Sequence, residues 1–278
     1  MFILKATKIA NKKQLVKSCQ LRSLLAQNQP FAYFSTSGTD GPQDPLADII
    51  RNYSSVSSPS ARFQLLLKSS IGALQDPTRA DLVSACGDLS SHDALVKIQK
   101  KMEADEDGRQ ILLDKPRVNS QTWNLDEMLR LPDGTFGHEY AFFMTSHGYT
   151  SDDRPIVKYV PNLEHAYIMQ RYKEVHDMAH VILGYGTSVS EEIAVKWFEM
   201  IQTELPMSAL SSLIGPLNLV LFQRNAVEVQ KLTSVYLPHI MANAKTSKMF
   251  LNIYFEKHFE TPLDELRASL RIRPMAKH

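Results

Sequence analysis

The sequence predicts a mainly α-helical protein, a single helical domain with a metal site between two consecutive helices, and three observations carry that prediction. Beyond the first forty residues, apolar side chains recur three and four apart, the spacing of helices that bury one face. Serine, threonine and asparagine stand where helices need an N-cap, and glycines where helices stop. No hairpin pattern, no alternation of strands with helices and no internal repeat is visible.

The elements follow in order. "ARFQLLLKSSIGAL" gives a helix over residues 60–75, punctuated by Asp76 and Pro77, and a short helix over 78–85 stops at Gly87. Ser90 is placed as an N-cap with Asp93 at N3; Leu95, Ile98 and Met102 continue the period until Gly108 terminates it. The stretch 109–123 is short and proline-limited and reads as extended. A turn at Asp133 and Gly134 precedes a helix over 135–147. Asn162 caps the longest helical pattern, residues 162–183, which Gly184 and Gly186 end. Ser188 and Glu191 then form a capping box for a helix running to Thr203, before Pro206. Further helices are predicted over 208–214, 216–237, 247–258 and 262–270, the last with Thr261 as cap and Pro262 at N1.

Residues 1–40 stand apart from the helical domain of residues 41–278. Before Asp40 they carry Lys5, Lys8, Lys12, Lys13, Lys17 and Arg22 and no acid, among apolar, serine and threonine residues, which is the composition of a mitochondrial transit peptide. A secretory signal would need a continuous apolar core, and none is present. The formal charge of +1 hides this asymmetry: removing those six bases leaves 25 basic against 30 acidic residues. A body of that sign is a poor ligand for a phosphate backbone, so nucleic acid is excluded as a partner. With Cys19 and Cys86 alone, no disulfide framework or thiolate metal site can form within one chain, so any metal must take nitrogen and oxygen ligands. The charge-free stretch 205–223 is interrupted by Pro206, Gly215 and Pro216 and reads as a buried or membrane-apposed helix pair, not a crossing.

The segment "YKEVHDMAHVILGYGTSVSEEI" holds the candidate site. Residues four apart share a helix face, so His176 and His180 present two imidazoles to one point, with Asp177 about a quarter turn aside. The capping box puts Glu192 in the first turn of the next helix, and the short glycine-containing connection brings that turn back beside the histidines. Met169, Tyr172, Ala179 and Leu183 make the surroundings apolar, where imidazoles and carboxylates are costly unless paired or metal-bound. Mixed nitrogen and oxygen donors suit Zn2+, with Co2+, Fe2+ or Mn2+ open. The competing reading makes the histidines hydrogen-bonded core residues and Glu192 a helix-start acid. The motif differs from the His-Glu-x-x-His of zincins, whose glutamate is a general base. His92 and Asp93, a second adjacent pair, open a charged helix and read as surface residues. No glycine-rich phosphate loop is present.

These residues resemble a known family, the mitochondrial ubiquinone biosynthesis proteins whose signature is His-Asp-x-x-His, eleven residues, then Glu. His176, Asp177, His180 and Glu192 match it without departure, and "LPDGTFGHEYAFFM", "YIMQRYKEVHD", "IAVKWFEM", "LPMSALSSLIGPL" and "YFEKHFETPLDELR" extend the resemblance over about residues 44–272. One departure is "ACGD" at residues 85–88, where the family often reads Leu-Gly-Glu. The resemblance implies a mostly helical, peripheral protein on the matrix side of the mitochondrial inner membrane, with His176, Asp177, His180 and Glu192 as metal ligands and catalytic residues. It implies C1-decarboxylation of 4-hydroxy-3-methoxy-5-polyprenylbenzoate. Implied partners are polyprenylated benzoate and quinone intermediates, the other coenzyme Q biosynthesis enzymes in a multi-subunit complex, the membrane surface and further copies of the chain as a homo-oligomer. The alternative is a non-catalytic scaffold in which the metal staples two helices. Phe142, Phe143, Phe198, Phe222 and the 205–223 segment are candidate walls for an apolar substrate, and His138 with Glu139 a candidate acid, base or support for a ligand.

Overall fold

A computed structural model describes residues 44–276, apart from 57, 76–78 and 222–224. The expected leader, residues 1–40, and the candidate wall residue Phe222 therefore lie outside the described residues. Among these no sheet forms, and the chain is a succession of helices: α1 (Ala47–Asn52), α2 (Pro59–Gln75), α3 (Ala80–Ser90), α4 (His92–Ala104), α5 (Glu106–Asp114), α6 (Leu125–Met128) and α7 (Phe136–His147). Then follow α8 (Leu163–Glu174), α9 (His176–Leu183), α10 (Val189–Thr203), α11 (Pro206–Leu221), α12 (Ala226–Lys231), a π-helical turn (Leu232–Tyr236), α13 (Leu237–Thr246), two 3-10 turns and α14 (Leu263–Leu270). The mainly helical prediction holds.

The centre of the domain is α8 with α9. Every residue from His165 to Leu183 is buried, the environment of a helix wrapped on all sides. That burial would be prohibitive for the charges on α8 were each not paired. Arg171 donates to Glu256 at 3.0 Å and to the Ile253 carbonyl at 2.8 Å. Lys173 reaches Asp88 at 2.8 Å and Ser84 at 2.6 Å, and Glu174 accepts from Arg117 at 2.8 Å. These pairs fasten α3, the 115–118 segment and the C-terminal turns to the central helix.

Several predicted boundaries are corrected, each for a local reason. The helix predicted over 162–183 is two helices, because the backbone breaks at Val175 (φ −93°, ψ 2°). Residues 106–114 are helical where an extended stretch was expected over 109–123. Gly108 does not end α4; it sits inside the first turn of α5, its N–H capped by Asp105 at 2.9 Å. Glycine is required there because a Cβ would lie 2.3 Å from the Met102 carbonyl oxygen. Likewise α3 runs through Gly87, where a Cβ would crowd Met169 and Met207 at 2.9 and 3.0 Å, and the cap of α4 is Ser91, not Ser90.

The segment 206–221 is one helix that continues through Pro216. Proline has no N–H for the carbonyl four residues back, which is that of Ser212. Trp197 Nε1–H donates to that carbonyl at 3.1 Å, so the break in the ladder is repaired from α10. The helix predicted over 216–237 is thus divided among α11, α12 and the π turn. That predicted over 247–258 is replaced by 3-10 turns at Phe250–Asn252 and Phe255–Lys257, and α14 starts at Leu263 with Pro262 as its N-cap residue.

Candidate metal centre

The break at Val175 starts α9 at His176, and the turn after α9 is shaped to return. Gly184 takes a left-handed conformation (φ 75°) as the C-cap. The capping box forms as predicted, with Glu191 also accepting from the Gly186 N–H at 3.1 Å, so one carboxylate pins both the turn and the start of α10. Glu192 is thereby held beside α9. His176, His180 and Glu192 each offer one donor atom, and the three atoms lie within 4.8 Å of one another. His180 Nε2 is 3.1 Å and His176 Nε2 is 3.4 Å from the two Glu192 oxygens. Ligands at 2.0–2.1 Å from a tetrahedral ion are about 3.3 Å apart, so both spacings suit one centre.

The other side of each imidazole decides what the cluster is for. His180 Nδ1 is 2.9 Å from the Gly186 carbonyl, an acceptor only, so Nδ1 carries the proton and Nε2 is free to ligate. His176 Nδ1 is 2.5 Å from Glu199 Oε1, and the same argument leaves its Nε2 facing Glu192. Lys196 Nζ is 3.1 Å from His176 Nδ1, but an ammonium cannot donate to a nitrogen that already bears a proton. The bond it makes is to Glu199 Oε2 at 2.9 Å, where Tyr172 also donates at 2.7 Å. Two histidines whose outer nitrogens are held by a carboxylate and a carbonyl are oriented as ligands usually are. The protein has a divalent metal-binding site between two consecutive helices, α9 and α10, and three protein donors leave a coordination position open.

Electrostatics agree with the geometry. Burial disfavours the Glu199 carboxylate, yet the charges of Lys196 and His176 and the bonds they make outweigh it and hold the pKa down to about 2. Burial and Lys196 work against a proton on His176, but Glu199 and Glu192 win and raise its pKa above the ordinary imidazole value. Glu192 is opposed by desolvation and held well below the usual carboxylate range by His176, His180 and Lys196.

Asp177, the fourth expected ligand, is not brought into this group. Its carboxylate receives both forks of Arg154, Nε at 3.2 Å and Nη2 in a shorter contact. Arg154 comes from the segment between α7 and α8, and no sequence spacing pointed to it. Glu199 and Lys196 were also missed, although a signal existed: Glu192, Lys196 and Glu199 are four and three apart, so they share one face of a helix. His138 contacts Asp133 at 3.4 Å and Glu139 accepts from the Gly134 N–H at 3.2 Å, so both serve the turn before α7. Of the expected walls, Phe143 stacks on His180 with ring centres 5.5 Å apart, Phe142 is exposed, and Phe198 is wholly inside the core.

Residues 55–276 match the family "Coenzyme Q (ubiquinone) biosynthesis protein Coq4". The chain belongs to the Coq4 family. It is 43% identical over 203 residues to the mitochondrial ubiquinone biosynthesis protein COQ4 homolog of Nematostella vectensis, covering 73% of this chain and 96% of that one. To the human COQ4 homolog it is 37% identical over 221 residues, 80% and 82% of the two chains. The crystal structure of a Nostoc punctiforme protein superposes with a TM-score of 0.60 at 20% identity, over 74% of this chain and 96% of that one, which shows a shared fold. Membership gives this Coq4-family chain a role in ubiquinone biosynthesis, and its metal-ligand triad falls on the family's signature histidines and glutamate.

Proposed function

We propose that the protein is a metal-dependent carboxy-lyase that removes the C1 carboxylate of 4-hydroxy-3-methoxy-5-polyprenylbenzoate, and that it helps organise the enzymes of coenzyme Q biosynthesis. The observation that carries the catalytic reading is the open, three-donor centre with both histidine Nδ1 atoms tied down. In the reaction the bond from C1 to the carboxylate carbon breaks, its electron pair stays on the ring, carbon dioxide leaves and a proton takes the vacated position. A divalent ion at His176, His180 and Glu192 supplies Lewis acidity for a carboxylate or phenolate oxygen. The chain's own part is preorganisation. Glu199 and the Gly186 carbonyl fix the two tautomers. The Phe143 ring, stacked on His180, borders the centre with an aromatic face, and His147 and Tyr149 continue the stack outward.

The scaffold reading keeps support from one feature. Trp197, Met200 and Ile201 project from a different face of α10 than Glu192 and Glu199, and with Leu213, Pro216 and Val220 they line an apolar groove of about 620 Å³. That groove suits a prenyl tail or a partner helix. We place the protein on the matrix face of the mitochondrial inner membrane, with residues 1–40 as its import signal. Support comes from the leader's composition, from relatives whose names call them mitochondrial, and from the lack, among the described residues, of any helix long and apolar enough to cross a membrane.

The test is direct. Protein loaded with a divalent ion is given a short-tailed 4-hydroxy-3-methoxy-5-prenylbenzoate, and ring products are followed by mass spectrometry. Conversion is expected for the wild type and lost in His180→Ala. Equal conversion by metal-stripped and metal-loaded protein would overturn the metal-dependent reading. No conversion by either, with partner enzymes still co-purifying, would favour the scaffold.

A further inference from the structure

Phe63, Leu67 and Ile71 are 64, 51 and 47% exposed, although large apolar side chains of this kind are ordinarily buried. They are four apart, so they form one stripe along α2. Around the same exposed side stand Ser60, Gln64, Lys68 and Gln75. The whole 17-residue helix contains Arg62 and Lys68 and no carboxylate. This is unusual in a chain whose residues beyond the leader carry an excess of acid. The buried side of α2 is anchored: Arg62 donates to the carbonyls of Tyr159 and Leu89 at 3.2 and 3.3 Å, and Gly72 lies close against Leu82 of α3.

We infer that the exposed side of α2 is a membrane-docking surface that inserts Phe63, Leu67 and Ile71 into the interface of an anionic lipid bilayer, with Lys68 at headgroup level. Two properties of this side favour lipid over another protein. Three half-exposed side chains offer roughly 300 Å² of apolar surface, well short of the about 800 Å² per partner that a stable protein interface buries. Secondly, an acid-free helix with a lysine beside an apolar stripe is the composition of helices that lie in a membrane surface, whereas the acidic remainder of the body would be repelled by anionic headgroups and so turned away. The inference deepens the reading above at one point, since it says which side of the protein meets the bilayer that holds a polyprenyl substrate.

Flotation of the full chain with phosphatidylcholine vesicles containing phosphatidylglycerol tests it. The triple variant Phe63→Ser, Leu67→Ser, Ile71→Ser should lose at least about tenfold in vesicle affinity, since each side chain gives up part of its transfer free energy. Lys68→Glu, at an exposed position, should weaken binding to the anionic vesicles and leave binding to pure phosphatidylcholine unchanged. To separate α2 from the basic leader, a solvatochromic dye is placed at Leu67→Cys in a Cys19→Ser background. Its emission should shift to the blue on vesicle addition and be quenched by spin labels in the lipid. Unshifted emission at that position, or a triple variant that floats like the wild type, overturns the inference. So does light scattering that finds a dimer in the wild type and a monomer in the triple variant. Should the triple variant misfold, the dye and Lys68→Glu decide. Dye emission that stays unshifted on vesicle addition, in a chain that still turns over the short-tailed substrate, would sink the docking surface and leave the proposed reaction standing.

Discussion

Glu199→Gln is the sharpest probe of the metal centre, because it changes one oxygen for one nitrogen behind a ligand and leaves all three ligands in place. In the wild type the carboxylate takes the His176 Nδ1–H at 2.5 Å, Lys196 at 2.9 Å and Tyr172 at 2.7 Å, and it is fully buried. A neutral amide still accepts one bond but no longer raises the basicity of His176 or fixes its ring. Loss of such a partner costs about 10–100-fold in metal affinity, or about 1.4–2.7 kcal/mol. The same change strips Lys196 of its nearest counter-charge, Glu192 being 3.8 Å away, and breaking a buried pair costs about 3–5 kcal/mol of stability. The two effects separate in the double variant Glu199→Gln, Lys196→Met. Without the lone buried charge it should recover most of the thermal stability, while its metal affinity stays low. Affinity is read by competition with a chromophoric chelator, ligand orientation by the visible spectrum of the Co2+ form, and stability by thermal unfolding of stripped protein. Metal affinity within twofold of wild type in a folded Glu199→Gln protein would refute the role given to this carboxylate.

Metal binding should weaken as pH falls, and should begin to do so above the ordinary imidazole range. The metal-free protein holds a proton on His176 whose pKa is raised, and below that value each proton displaced costs about tenfold in apparent affinity per pH unit, measurable by chelator competition at several pH values. In the metal-free protein the sign for stability is the reverse: the raised value contributes fully below the unfolded imidazole pKa and is lost as pH rises through the folded one. Asp177→Asn should keep close to the wild-type metal content by elemental analysis, whereas His176→Ala loses most of it, because the Asp177 carboxylate is paired with Arg154 and stands outside the cluster of His176, His180 and Glu192. Arg154→Met should lower the melting temperature by leaving a buried carboxylate unpaired, a loss of about 3 kcal/mol. Gly108→Ala should cost about 2–3 kcal/mol in denaturant unfolding, since its Cβ meets backbone, which cannot rotate away.

What the sequence made legible is what depends on local order. The capping box at Ser188 and Glu191, the Asn162 cap and the i, i+4 histidines are each fixed by neighbours within a few residues, and each stands where it was predicted. What it hid depends on distant chain. Gly87 and Gly108 read as helix stops because glycine ends helices more often than it makes room; here the crowding comes in part from Met207 and Asn252, far along the chain. Pro216 read as a boundary because the donor that replaces its missing N–H is an indole on another helix. Asp177 read as a ligand because an acid beside a metal histidine is a reasonable donor. Its partner, Arg154, lies 23 residues away in an irregular segment with no periodicity to place it.

The break at Val175 shows why two adjacent helices are better here than the single one that the apolar pattern suggests. On α8 the buried charges must meet α3, the 115–118 segment and the C-terminal turns, and their partners fix how that helix is rotated. A straight continuation would carry His176 and His180 into whatever direction those pairings dictate. The break frees the direction of α9 from that constraint, so the imidazoles are aimed by the turn after Gly184 and by α10. It also opens a new helix N-terminus at His176 with Asp177 in its first turn, where the aligned peptide dipoles favour a carboxylate. The acid is stabilised there by the helix and by Arg154, apart from the cluster of His176, His180 and Glu192. A substitution that restored a continuous helix through Val175 would therefore have to sacrifice either the α8 ion pairs or the aim of the histidines, and both belong to the same rigid centre.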